Sequence, residues 1–196
     1  MLRRMILLAL ATSMLAACGT GSPAADPSTA AASPAAATMQ GRWWTWAASE
    51  PTATNPVADA TGEFCTRNQP ADVWFLAGTF GTRAQRRCTV PQGRPIVVPV
   101  LNLFGDRSDC AAFMAAARGT AELDGTGLAL EKFTDERIEV TAVAGNALGQ
   151  DAGTFPAIGC GIWARIPPPA AGTHQLRVRG TSGDFEVSID YDLTVA

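Results

Sequence analysis

The stretch Phe185-Glu186-Val187-Ser188-Ile189-Asp190-Tyr191-Asp192-Leu193-Thr194-Val195 places an apolar residue at every second position without a break. A period of two is the signature of a strand with one buried and one solvated face. The segment before it reads the same way, with Leu176 and Val178 inward and Gln175, Arg177 and Arg179 outward. Gly180-Thr181-Ser182-Gly183 lies between the two and suits a four-residue hairpin loop. That loop sets Arg179 opposite Asp184 and Arg177 opposite Glu186 on the outer side. It sets Val178 opposite Phe185 and Leu176 opposite Val187 on the inner side. Charge and apolar pattern agree on this register.

Working outward, strands are expected at Trp43–Ala47, Val73–Phe80, Arg87–Val90, Ile96–Leu103, Ala121–Leu123, Arg137–Val143 and Gly161–Ile166. Turn residues separate them at Pro91-Gln92-Gly93, Asp124-Gly125-Thr126-Gly127 and Pro167-Pro168-Pro169. Ser108-Asp109-Cys110 followed by Ala111–Ala117 reads as the one short helix. Ser108 or Asp109 is placed to cap its start, and Gly119 to take the left-handed position after its end. Pro95 and Pro99 bracket Ile96–Val98 and mark that strand as an edge or a bulge. Many short strands with frequent turns predict a mainly β fold, an antiparallel β-sandwich of immunoglobulin-like or jelly-roll-like kind. Pro169–Val178 resembles the P-x-G-x-H-x-L-x-V hairpin of bacterial immunoglobulin-like domains, which implies a fold and nothing about activity.

The N-terminus says where the chain resides. Arg3 and Arg4 precede an apolar run of 13 residues, Met5 to Ala17, and Leu15-Ala16-Ala17-Cys18 closes it. A spanning helix needs about 20 apolar residues, so length favours a removable signal peptide. The Leu-Ala-Ala-Cys ending resembles a bacterial lipoprotein signal. That resemblance implies cleavage before Cys18, a diacylglycerol on its sulfur, and a membrane anchor on the extracytoplasmic side. Gly19 lacks the acidic residue that retains some lipoproteins in the inner membrane, which implies the outer membrane in a diderm host. Residues 19 to 41 are almost entirely Gly, Ala, Ser, Thr and Pro, with Asp26 as the only charge, and are expected to form a flexible tether. The chain thus divides into signal peptide 1–17, lipidated cysteine and tether 18–41, and one folded domain 42–196.

Removal of Arg3 and Arg4 leaves 13 basic against 18 acidic residues. No basic block remains, which argues against nucleic acid as a partner. With Cys18 lipidated, Cys65, Cys88, Cys110 and Cys160 are left. An even number in an exported domain predicts two disulfides, preferably Cys65–Cys88 and Cys110–Cys160. The spacing offers no metal site and the chain has one histidine, so neither metal nor other cofactor is expected.

Candidate chemistry is sparse. Trp43, Trp44 and Trp46 at the tether-domain junction are core residues or a platform for sugar rings or peptide. Asp59, Glu63 and Asp72 offer carboxylates near Asn55 and Asn102, a set that glycoside hydrolysis would need as an acid-base pair. Asp59-Ala60-Thr61-Gly62 reads equally as a turn locked by the Asp side chain. His174 lacks a nucleophile partner and reads as a half-buried residue bonded to a turn carbonyl.

Trp43-Trp44-Thr45-Trp46, Asn55-Pro56-Val57, Asp59-Ala60-Thr61-Gly62 and Val73–Gly81 follow one another, then Arg87–Pro91 and Pro99–Asn102. Together they resemble an uncharacterised family of bacterial exported proteins with W-x-W, NPV, D-x-TG, VWFLAGTFG, C-x-VP and P-x-LN motifs. The resemblance implies homology and brings no activity. The expected function is a monomeric, lipid-anchored binding module of the cell envelope. An envelope glycan hydrolase acting near Asp59 and a structural or inhibitory lipoprotein are the alternatives.

Overall fold

The computed structural model describes residues 37–196. Cys18, the signal motif and the tether up to residue 36 lie outside the described residues. The domain begins earlier than expected, because helix α1 (Met39–Ala47) takes in Met39–Gly41.

The fold is mainly β, with two sheets. The first has the order β1 (Trp74–Phe75), β3 (Ile96–Gly105), β7 (Gly153–Ile166), β6 (Leu130–Ala142). The second runs β2 (Arg83–Val90), β9 (Phe185–Val195), β8 (Gly172–Ser182), β4 (Arg118–Leu123), β5 (Thr126–Gly127). The expectation of a wholly antiparallel arrangement is corrected. β1 runs parallel to β3, and β2 runs parallel to β9. Parallel neighbours need a long connection, and most of the domain separates β2 from β9.

β9 buries Val187, Ile189, Tyr191, Leu193 and Val195, as its alternation requires. Its hairpin with β8 has a different register from the one expected. The strands continue to Ser182 and Phe185, and Gly183-Asp184 is a two-residue turn. Gly183 has φ 58°, which suits the first central position of a type II′ turn. Arg179 therefore faces Ser188 and Leu176 faces Tyr191. The offset is even, so every side chain keeps the face its pattern assigned.

Gly180 lies inside β8 because of packing. It pairs with Gly119 across the β4–β8 ladder. A Cβ on Gly119 would stand 2.3 Å from Val100 Cγ1, and one on Gly180 would stand 2.5 Å from the Val100 carbonyl oxygen. The two glycines let β3 press on the second sheet where its register shifts, between Pro99 and Leu101. Gly119 is thus a strand residue, and the helix before it, α2 (Arg107–Ala116), ends at Ala117 in extended conformation. Asp106 caps α2 in place of Ser108 or Asp109. Its carboxylate accepts from Asp109 N at 2.9 Å, and Asp109 accepts in return from Asp106 N at 3.1 Å.

Among the described residues two α-helices are present where one was expected. Residues Trp43–Ala47 belong to α1, capped by the Thr38 hydroxyl, which accepts from Gly41 N at 3.1 Å. Trp43, Trp46 and Ala47 recur at helical spacing and all are buried. They pack with Phe75, Val97, Val140 and Trp163 on one face of the first sheet. The other face shares a core with the second sheet, which includes Val98, Ile162, Leu176, Ile189 and Leu193.

Both expected disulfides are present. Cys65–Cys88 ties the irregular segment before β1 to β2, and Cys110–Cys160 ties α2 to β7. They assign the folded domain to an oxidising compartment. Among the described residues no helix is long and apolar enough to cross a membrane.

Candidate functional site

Between Ala48 and Thr82 the chain has little regular structure, and polar side chains hold it, three of which meet around the motif turns. Asn55 is fully buried and acts as a local clamp. Its amide donates to the Ala47 and Glu50 carbonyls at 2.8 and 3.1 Å, and its oxygen accepts from Val57 N at 2.9 Å. Asp59 locks the next turn by accepting from Thr61 N and Oγ1, both at 2.8 Å, and from Phe64 N at 3.1 Å. Burial raises its pKa, but these hydrogen bonds outweigh that effect and hold the carboxyl below its usual range. A carboxylate so engaged is not set up as a general acid.

The third holder is Arg86 on β2, which sequence reading passed over. Its alternation with Cys88 and Val90 points it inward, and only 1% of it is exposed. Its guanidinium donates to the carbonyls of Val57, Asp59, Ala77 and Gly78 and to the Tyr191 hydroxyl, at 2.7 to 3.1 Å. Buried charge is tolerated only when its hydrogen bonds are met. Here main-chain oxygens of two separate turns meet them, so one side chain fixes both.

The motif residues thus acquire physical roles. Asn55-Pro56-Val57 and Asp59-Ala60-Thr61-Gly62 form turns around Arg86. Ala77-Gly78 turns away from the sheet to reach it, and Thr79 closes the bend by bonding Thr82 N and O.

This bend leaves a groove of about 250 Å³. Trp43 and Trp44 of α1, Phe80, Asn102 and Phe104 of β3, and Phe185 of β9 are among its lining residues. Trp44 meets Phe104 edge to face at 4.7 Å, and Trp43 meets Trp163 the same way at 5.5 Å. Phe80 is 48% exposed at the rim, an unusual position for a large apolar side chain beside an apolar concavity. Trp43 Nε1 donates to the Leu76 carbonyl at 3.0 Å. Trp44 Nε1 and Asn102 Nδ2 are buried and have no hydrogen-bond partner among the described residues. Donors of this kind usually find an acceptor.

The sequence-predicted residues therefore separate. Trp43, Trp44 and Asn102 come together at the groove. Trp46 is buried away from it and donates to the Arg67 carbonyl at 2.8 Å. Asp59 serves its turn, and Asp72 pairs with Arg42, whose hydrogen bond lowers its pKa. The tryptophans are core residues, and none stands free as an exposed platform. His174 bonds the Ala170 carbonyl as expected, at 2.9 Å, and also Asp124 at 2.7 Å. Phe80, Phe104 and Phe185 were missed, since only the folded chain brings them together.

No family model matches the chain, and no curated protein matches its sequence. Among solved structures, the solution structure of amebosin aligns with 58% of this chain and 96% of its own, at 10% identity and a TM-score of 0.29. The crystal structure of a cysteine protease inhibitor from Entamoeba histolytica aligns with 56% of this chain and 86% of its own, at 15% identity and a TM-score of 0.26. Likenesses this slight carry no argument about this chain.

Proposed function

We propose that this chain is a lipid-anchored binding module of the bacterial cell envelope, with the aromatic groove as its ligand site. The anchor rests on the Leu15-Ala16-Ala17-Cys18 motif, and two disulfides suit an exported domain. We further read the two sheets as an immunoglobulin-like sandwich. The orders β1-β3-β7-β6 and β9-β8-β4 parallel the A-B-E-D and G-F-C orders of that fold, and a core that draws on both sheets supports it.

The observation that carries the binding reading is the groove itself, with mostly apolar walls, the polar residues Asn102 and Thr79 in its lining and Phe80 exposed at its rim. An apolar concavity with a few convergent polar groups is the usual form of a ligand site. Hydrolysis through Asp59 finds less support, because that carboxylate is committed to its own turn.

Tryptophan fluorescence tests the reading, since Trp43 and Trp44 line the groove. The folded chain is titrated with peptidoglycan fragments, envelope polysaccharides and peptides. A spectral shift with one class, weakened about tenfold or more by Phe80→Ala, is the expected result. No shift with any class would sink the groove as a binding site. For the anchor, Cys18→Ser should move the protein from the membrane to the soluble fraction.

A further inference from the structure

Strand β3 has two edges. Along one it pairs with β7 from Ile96 to Gly105. Along the other it pairs with β1 only at Ile96 and Val97, with one more bond from Leu76 N to the Val97 carbonyl at 3.0 Å. There the chain leaves, because Arg86 takes the Ala77 and Gly78 carbonyls at 2.9 Å each. β3 runs on to Gly105, and among the described residues no strand pairs with this edge beyond Val97. The groove lies against that stretch, with Asn102, Leu103 and Phe104 in its wall.

Resting on the groove as the ligand site, we propose that groove and open edge are one site for an extended peptide segment of a protein partner. The segment adds as a strand along Asn102–Phe104, in the lane that β1 vacates, and sets one apolar side chain among Trp44, Phe80, Phe104 and Phe185. Electrostatic complementarity selects this occupant. Among the described residues no charged side chain lines the groove, and the β3 edge beside it has no strand partner for its main-chain N–H and C=O groups beyond Val97. An extended peptide brings a neutral carbonyl oxygen at every residue, and an edge strand offers it alternating N–H and C=O groups. A sugar ring brings hydroxyls, each of which also donates and needs an acceptor, and the walls are mostly apolar. The volume of about 250 Å³ is that of about eight water molecules, enough for one large side chain.

The test selects a phage-displayed library of random linear peptides on the disulfide-intact chain. A selected peptide is then remade in two forms, N-methylated at alternate amides in one phase or in the other. Strand addition predicts that one phase weakens binding tenfold or more while the other leaves it near unchanged. It also predicts slowed amide exchange within Asn102–Phe104 and weaker binding to Phe80→Ala. Equal sensitivity to both phases, or binding that Phe80→Ala does not alter, would overturn it. If no peptide is selected but peptidoglycan fragments or polysaccharides shift the tryptophan spectrum, strand addition fails and the groove reading stands. If none of these binds, both fail.

Discussion

The Arg86 guanidinium donates to the Tyr191 hydroxyl at 2.9 Å, and that hydroxyl donates onward to the Ala77 carbonyl at 2.7 Å. The two residues face each other across the parallel β2–β9 pair. Burial pushes the phenol well above its ordinary pKa, although Arg86 opposes the shift, so Tyr191 stays a neutral donor. Tyr191→Phe removes one relay and should cost about 1 kcal/mol. Arg86→Met leaves the Val57, Asp59 and Gly78 carbonyls and the phenol oxygen without their donor and should cost about 3 kcal/mol or more. Urea unfolding of both variants checks the order. Equal costs would mean that Arg86 does not hold the two turns.

His174 presents both ring nitrogens to acceptors, Asp124 Oδ2 and the Ala170 carbonyl, so the doubly protonated ring satisfies both. The Asp124 bond chiefly, and the Ala170 carbonyl next, raise its pKa. The contribution is therefore complete below about pH 6.5, the unfolded value, and is lost as pH rises through the higher folded value. Asp124 is lowered, first by His174 and then by Gln175 N, so its contribution is present above about pH 4 and fades as pH falls through the lower folded value. His174→Gln should lower the midpoint of thermal unfolding near pH 6 and make little difference near pH 9. The loss stays under about 1 kcal/mol for a pair this close to solvent. A pH-independent difference would refute the charged pair.

Gly119→Ala puts a methyl 2.3 Å from Val100 Cγ1 and 2.7 Å from the Arg179 carbonyl oxygen. Overpacking against main chain costs about 1 to 3 kcal/mol. Gly127→Ala is the control, since a Cβ there meets nothing within 4 Å. Thermal unfolding should separate the two variants clearly, and matching midpoints would show that β3 gives way freely.

Asn102→Leu exchanges an unsatisfied amide for an apolar group of similar size. Stability should hold or rise, because a buried donor without a partner is a cost, while ligand binding falls about tenfold. A variant that loses stability and keeps binding would show Asn102 to be structural.

Much of this fold was legible because alternation reports a face directly. β8 and β9 declared their buried sides, and the cysteine spans pointed to the pairing that formed. Alternation does not report an offset, so the β8–β9 register was missed by an even number while every face was right. The three tryptophans misled because a cluster so short satisfies period two as well as the helical period, and the Thr38 cap was read as tether. Arg86 escaped notice because a charge in a strand reads as solvent-facing unless its partners are known. Its partners are main-chain carbonyls, which carry no sequence signature. The groove was invisible for a related reason. Trp44, Phe80, Asn102 and Phe185 come from four separate segments, and the bend at Ala77-Gly78 that opens it depends on Arg86.

β9 lies between β2 and β8, yet it is the last of the strands in chain order. An interior strand of the second sheet is therefore the one that follows all its neighbours in the chain. Until it arrives, β2 has no neighbour on that side and Arg86 lacks Tyr191. Assembly by such distant pairing is slow, so the second sheet stays open beside β2 until the rest of the domain is in place.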